Sequence, residues 1–274
     1  MSINKDKISL DFTFRKYMEL CDAIARSNYT ILTVEKYLTL DAKLDKYVIL
    51  RHDVDMKPEH SLKFAQIEKE FGICSTYYFR MTEEVYQPAI MKQIARLGHE
   101  IGYHYEVLDK AGGNPSKAIR IFERELSEMR KIYDIKTICM HGNSRTRWDN
   151  RDIWKYYDFK RYGIIGEAYL SIDFSDITYF SDAARTWNPR YKVKDISSSD
   201  RNCTINKTDD LIRLIEEERI SHLYILVHPD DWCDNFWTWL GDSVTRKFKN
   251  VGKTLLKWRY KGKRYAINAH RYER

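Results

Sequence analysis

The sequence predicts an α/β fold organised around a parallel sheet, and three features predict it. Short strand-like runs alternate with helical segments along the whole chain. The clearest run, Tyr47-Val48-Ile49-Leu50, is apolar without alternation. Four predicted strands end in histidine or acidic residues. Alternation of this kind builds βα units with right-handed crossovers. An unbroken apolar run suits a strand covered on both faces. With 274 residues and 43% hydrophobic residues, the chain can bury one large core.

The elements follow in order. Tyr17, Leu20 and Ile24 recur at helical spacing and predict a helix over Phe12 to Arg26. A short apolar strand is expected at Thr30 to Val34. The strand at Tyr47 to Leu50 breaks off at Arg51-His52-Asp53. Pro58 opens a helix to about Glu70, with Gly72 as its stop. Ser75 to Met81, rich in Thr, Tyr and Phe, is the next strand. A helix over Gln87 to Leu97 closes at Gly98, and Glu100 to Tyr105 forms a strand. Asn114-Pro115 opens a long helix to Tyr133, and Thr137 to His141 is a strand. A helix is expected at Asp149 to Phe159, and strands at Tyr162 to Ile165 and Ile177 to Phe180. Asp209 to Glu218 is a helix, and His222 to His228 is the last clear strand. No repeat or linker divides the chain. One α/β domain is expected over residues 1–240, with a basic extension over 241–274.

Composition excludes several functions. The five cysteines are odd in number and form no CxxC pair, which argues against a disulfide framework and a cysteine-based zinc site. The N-terminus has no apolar signal core and no run of about 18 apolar residues occurs, so a cytoplasmic location is expected. The net charge of +7 is uneven: residues 241–274 hold 11 Lys/Arg against Asp242 and Glu273, leaving the body at −2. That near-neutral body argues against nucleic acid as the partner. Within the extension, Val244, Phe248, Val251, Leu255 and Trp258 recur at helical spacing among Lys and Arg. Residues 243–260 therefore read as a basic amphipathic helix, either packed on the domain or in peripheral contact with an anionic membrane.

Chemistry is written at the strand ends. One ends in His52, Asp53 and Asp55, another in His104 and Glu106, a third in His141, and the last in His228-Pro229-Asp230-Asp231. Parallel α/β folds place their sites at the C-terminal strand ends. Imidazole with carboxylate is the donor set of zinc and similar divalent ions. Asp53 and Asp55 share one face of an extended strand, and two such carboxylates repel each other unless a cation joins them. One can hold a metal and the other accept a proton from water, while a histidine opposite protonates the leaving group. His52 and His99 are read as structural.

The segments "ILRHDVD", "LGHEIGYHYE" and "ILVHPDDW" resemble motifs of the polysaccharide deacetylase (NodB-like carbohydrate esterase) superfamily, in its branch with an Arg-His-Asp-Val-Asp first motif. The resemblance spans roughly residues 45 to 235. It implies a deformed (β/α) barrel of about seven parallel strands and metal-dependent removal of an acyl group from a sugar. It also implies one divalent metal, zinc foremost. By motif, Asp53 takes the place of the general base, Asp55 and His104 those of metal ligands, and His228 that of the general acid. Two departures stand out. Leu108 occupies the position of a further histidine, and the third motif lacks its arginine and proline. His141 is the first choice for the missing ligand and Glu106 the alternative.

Arg145, Trp148, Asp182, Arg185 and Trp187, in loops after the later strands, are candidates for holding the sugar. The expected substrate is a nucleotide-linked or lipid-linked acylated sugar of surface-polysaccharide or O-antigen (lipopolysaccharide) biosynthesis. The alternative is a carbohydrate-binding relative without catalysis, for which Leu108 is the main argument.

Overall fold

The computed structural model describes residues 10–42, 44–143, 145–187 and 205–234. The boundary expected at residue 240 and the basic helix expected at 243–260 lie outside the described residues.

The chain opens with α1 (Phe14–Arg26), capped by Thr13, whose side chain accepts from the Lys16 amide. Tyr17, Leu20, Cys21 and Ile24 form its buried face. Next come β1 (Thr30–Leu32) and α2 (Val34–Thr39). The sequence predicts no helix at this point; Thr33 starts it, its side chain accepting from the Lys36 amide. β2 (Tyr47–Val54) is buried throughout. α3 (Pro58–Glu70) begins with Pro at its first turn, after Lys57 in the left-handed region. β3 (Thr76–Arg80), α4 (Pro88–Arg96) and β4 (Glu100–Tyr105) follow, then a short α5 (Val107–Lys110), α6 (Pro115–Met129) and β5 (Thr137–Met140). The last elements described are β6 (Gly166–Glu167), β7 (Thr178–Ser181), α7 (Thr208–Glu217) and β8 (His222–Val227).

The strands run parallel in the order β6-β5-β4-β3-β2-β8-β7. They form a curled half-barrel with helices around it. β1 pairs with the first half of β2, at Thr30↔Tyr47, and β3 with its second half, at Arg51↔Thr76. The expected α/β barrel of about seven parallel strands is thus the observed architecture.

Two apolar clusters separate along β2. Val48, Leu50 and Val54 pack outward with the helices, while Tyr47 and Ile49 pack inward with Tyr78, Cys139, Tyr179 and Tyr224. Gly102 makes the inner packing possible, since a Cβ there would lie 2.2 Å from the Tyr78 ring.

Two expected elements differ. Asp149 to Phe159 contains a 3-10 helix at Asn150–Lys155, and Phe159–Tyr162 is a second one, so the strand starts at Gly166 rather than Tyr162. Asp149 and Asp158 cap these turns from their own side chains, and Gly163 ends the second in the left-handed region. Local capping outweighed the short apolar run. Among the described residues, no helix is long and apolar enough to cross a membrane.

Candidate active site

The alternation of β2 sorts its motif into two sets. Arg51, Asp53 and then Asp55 follow the inward register, and His52 faces the helices. Arg51 and Asp53 are almost wholly buried. The Arg51 Nε and Nη2 donate to the two Asp53 carboxylate oxygens, each at 2.8 Å. The same guanidinium donates to the Tyr224 hydroxyl at 3.1 Å and the Tyr169 hydroxyl at 2.8 Å. Such a two-pronged pair fixes orientation as well as charge. Burial acts to raise the Asp53 carboxyl, but the charges of Arg51, His104 and His228 outweigh it and hold it below the ordinary range. Sequence reasoning gave Arg51 no role. The signal was available: positions two apart on a strand share a face.

His104 ends β4. Its Nδ1 lies 3.1 Å from the Cys139 carbonyl oxygen, which turns Nε2 toward the carboxylates. That Nε2 is 3.4 Å from Asp55 Oδ1 and 3.6 Å from Asp53 Oδ2. His141 follows β5, and its Nε2 is 3.6 Å from the same Asp55 Oδ1. Its other ring nitrogen lies 3.2 Å from Glu106 Oε2, which also takes Arg80 Nη2 at 2.7 Å. Glu106 therefore sits behind His141, where a carboxylate orients an imidazole and raises its basicity. Burial opposes the protonated form of His141, but Asp55 and Glu106 outweigh it and raise its pKa. Burial would likewise raise Asp55, yet His141 and His104 hold its carboxyl far below the usual range.

His228, after β8, completes the ring. Its Nδ1 is 2.6 Å from Asp182 Oδ1, and its amide donates to both Asp182 oxygens. Trp232 Nε1 donates to Asp182 Oδ2 at 2.7 Å. Burial pulls the imidazolium pKa down, but Asp182, with Asp53 and Asp55 beyond it, raises it to about 10.

The donors fit a metal. Asp55 Oδ1 is buried and makes no hydrogen bond of good geometry among the described residues. Two ligands of a four-coordinate zinc lie about 3.3 Å apart for bonds of roughly 2.05 Å. The 3.4 and 3.6 Å separations around Asp55 Oδ1 are close to that edge and too long for good hydrogen bonds. A second, inner set exists. Donor atoms of Asp53, His104 and Cys139, all buried, lie within 4.8 Å of one another and could also hold a metal ion. Both Asp53 oxygens already accept from Arg51, so a cation there would face a guanidinium, whereas Asp55 Oδ1 is open to one. Cys139 carried no sequence signal; it enters because β4 and β5 pair His104 with Cys139.

The remaining residues singled out in the sequence fall as follows. Leu108 is buried on α5 within the helix-side core. Asp182 was expected to bind sugar, but it is fully buried beneath His228 and offers no surface. Trp187, also expected at the sugar, packs inside with Nε1 donating to Thr208 Oγ1 at 3.0 Å. Arg145 is exposed, and Trp148 is half-buried over Gly113, where a Cβ would meet its ring at 1.9 Å. Arg185 is half-buried, its guanidinium 5.8 Å from the Phe12 ring centre. His99 is a satisfied core residue bridging the Ser75 amide and the Ala65 carbonyl.

No protein-family model matches the chain, and no curated protein matches it. Among solved structures it is similar to the Streptococcus pyogenes deacetylase PplD in complex with acetate. The identity is 14% and the TM-score 0.41, over 57% of this chain and 75% of that one. A likeness of that size carries no functional inference.

Proposed function

We propose that the chain is a metal-dependent hydrolase that removes an acyl group, acetyl foremost, from a sugar. One observation carries the reading: the buried Asp55 Oδ1 between the Nε2 atoms of His104 and His141. Asp55, His104 and His141 would hold the ion, and zinc suits that donor set. When bound, it supplies Lewis acidity to the acyl carbonyl and lowers the pKa of water.

The protein's own groups divide the proton work. Asp53 is kept ionised and accepts the proton from the attacking water, while Arg51 fixes both of its oxygens. His228 is kept protonated near neutral pH and donates from Nε2 to the departing sugar nitrogen or oxygen, because Asp182 occupies Nδ1. Environments that push two groups apart in pKa mark an acid and a base. We assign Arg145 and Trp148, in the loop after β5, to holding the sugar and an attached anionic group. A nucleotide-linked or lipid-linked acylated sugar, deacylated in the cytoplasm before export, is the substrate class we favour.

The test begins with metal-stripped protein titrated with zinc and followed by calorimetry. One ion per chain is expected, lost in Asp55→Asn and His141→Ala. Asp53→Asn keeps the ion but slows acetate release from acetylated nucleotide sugars by about 10² to 10⁴-fold. Absence of a stoichiometric metal sinks the proposal. Sugar binding without acetate release assigns the chain to the non-catalytic alternative.

A further inference from the structure

At the opposite end of the half-barrel, where the strands begin, lies a cavity of 310 Å³. Its wall includes Leu32 of β1, Tyr37 of α2, Tyr47 at the start of β2 and His222 at the start of β8. Asp173 and Asp176, exposed in the segment that leads into β7, also line it, with the apolar Leu40, Ala42, Leu44 and Ile177 between. It does not belong to the metal site. Tyr47 and His222 are register partners at the first rung of the β2–β8 ladder, whereas Asp53 and His228 lie beyond its last rung. Packed residues such as Ile49, Tyr224 and Leu226 fill the interior between the two ends.

The chemistry of this cavity is one-sided. Tyr37 and Tyr47 meet at 45° with ring centres 5.6 Å apart, and Tyr47 stacks on His222 at 4.4 Å. His222 Nδ1 lies 2.9 Å from Asp176 Oδ2 and 3.2 Å from the Asp176 carbonyl oxygen. Both neighbours are acceptors, so Nδ1–H meets them, and a ring with one proton leaves its lone pair on Nε2. That Nε2 is buried with no hydrogen-bond partner among the described residues. Two carboxylates, an imidazole lone pair and tyrosine faces all favour a positively charged donor. Burial first, then Tyr37 and to a lesser degree Asp176 and Asp173, push the Tyr47 hydroxyl up.

We infer that this cavity is a second binding site, taking an organic ammonium whose N–H groups meet His222 Nε2 and the Asp173/Asp176 rim while its carbons lie against the tyrosine rings. Cation–π contact and charge complementarity both contribute. The cavity's size fits a small ligand or one side chain. The ammonium is either free, as an alkylamine, or carried on a peptide lysine; the chemistry recognised is the same.

The experiment titrates the full chain with n-butylammonium, with its neutral counterpart n-butanol, and with a short lysine-containing peptide, followed by calorimetry or by tyrosine NMR signals. Butylammonium is expected to bind and butanol to bind at least tenfold more weakly. Asp173→Asn/Asp176→Asn, both at exposed positions, weakens butylammonium roughly tenfold, as two rim ion pairs at the top of the exposed range would. Rising salt weakens it further. His222→Gln, which keeps a hydrogen-bonding side chain, reports on the buried acceptor and also weakens binding. Tighter binding of the peptide points to a protein-borne lysine, and tighter binding of the free amine to a metabolite. Equal binding of butanol, an unchanged affinity in the double variant, or no binding at millimolar amine overturns the inference.

Discussion

The two faces of β2 carry two buried acid–base clusters built from adjacent residues, and they differ in how completely they are satisfied. On the helix face, His52 Nε2 lies 2.7 Å from Glu68 Oε1. Glu68 also accepts from the hydroxyls of Tyr17 and Tyr77 at 2.6 Å and of Ser75 at 2.7 Å. His52 and Glu68 are fully buried. On the inner face, Arg51 satisfies Asp53, but Asp55 Oδ1 faces two imidazoles with no hydrogen bond of good geometry among the described residues. Although His52 Nδ1 on the helix face is buried with no hydrogen-bond partner among the described residues, a buried carboxylate with both oxygens taken fixes the packing of α1 and α3 on the sheet. One with an open acceptor is prepared for something more. The same five-residue motif thus writes a structural joint on one face and a candidate reaction centre on the other.

The sharpest way to break this comparison is Glu68→Ala. It leaves His52 and three hydroxyls without their acceptor, and we expect a loss of about 3–5 kcal/mol in denaturant unfolding. Zinc stoichiometry of the folded fraction should stay at one. A loss below 1 kcal/mol would remove the structural reading of that face.

Acid titration probes the same face. Burial disfavours the charged carboxylate, but His52, His99 and the Tyr17 hydroxyl together lower the Glu68 pKa from 4.5 to about 2. A depressed folded-state pKa gives stability that is present above pH 4.5 and lost as pH falls toward 2. The contribution is on the order of 3 kcal/mol, and Glu68→Gln should abolish this part of the pH dependence. An unchanged slope between those values in the variant would count against it.

On the inner face, Arg51→Lys keeps the charge and loses the two-pronged geometry. We expect kcat to fall by roughly ten- to a hundredfold with KM little changed, the scale of one charge-assisted hydrogen bond. A change confined to KM would deny Arg51 its positioning role.

The smallest effect concerns the acid. Asp182 is the main charge holding His228 protonated. Asp182→Asn should therefore lower the His228 pKa and move the alkaline limb of the rate profile to lower pH. A profile that keeps its alkaline limb in place would show that another group donates the proton.

Much of this was readable in the linear chain. Tyr47 to Leu50 is apolar without a break, so the strand had to be covered on both sides. The period of two put Arg51, Asp53 and Asp55 together and His52 opposite. Strand-terminal His104, His141 and His228 had to share a mouth once the sheet was parallel, because helices cover its faces. These are local consequences of backbone geometry and burial, and sequence alone determines them.

The tertiary structure decided the pairings. His141 reaches Asp55 because β5 lies beside β4 with Met140 opposite Tyr105, a register no local pattern encodes. Asp182 looked like a surface acid in a loop, yet β7 pairs with β8 and places it beneath His228, 46 residues away in sequence. Trp187 was drawn inward by the Thr208 hydroxyl, and Cys139 met His104 only through strand pairing. Each of these depends on which strands are neighbours and in what register. That choice is made by the packing of the whole core, so residues far apart in sequence acquire their chemistry only when the sheet closes around them.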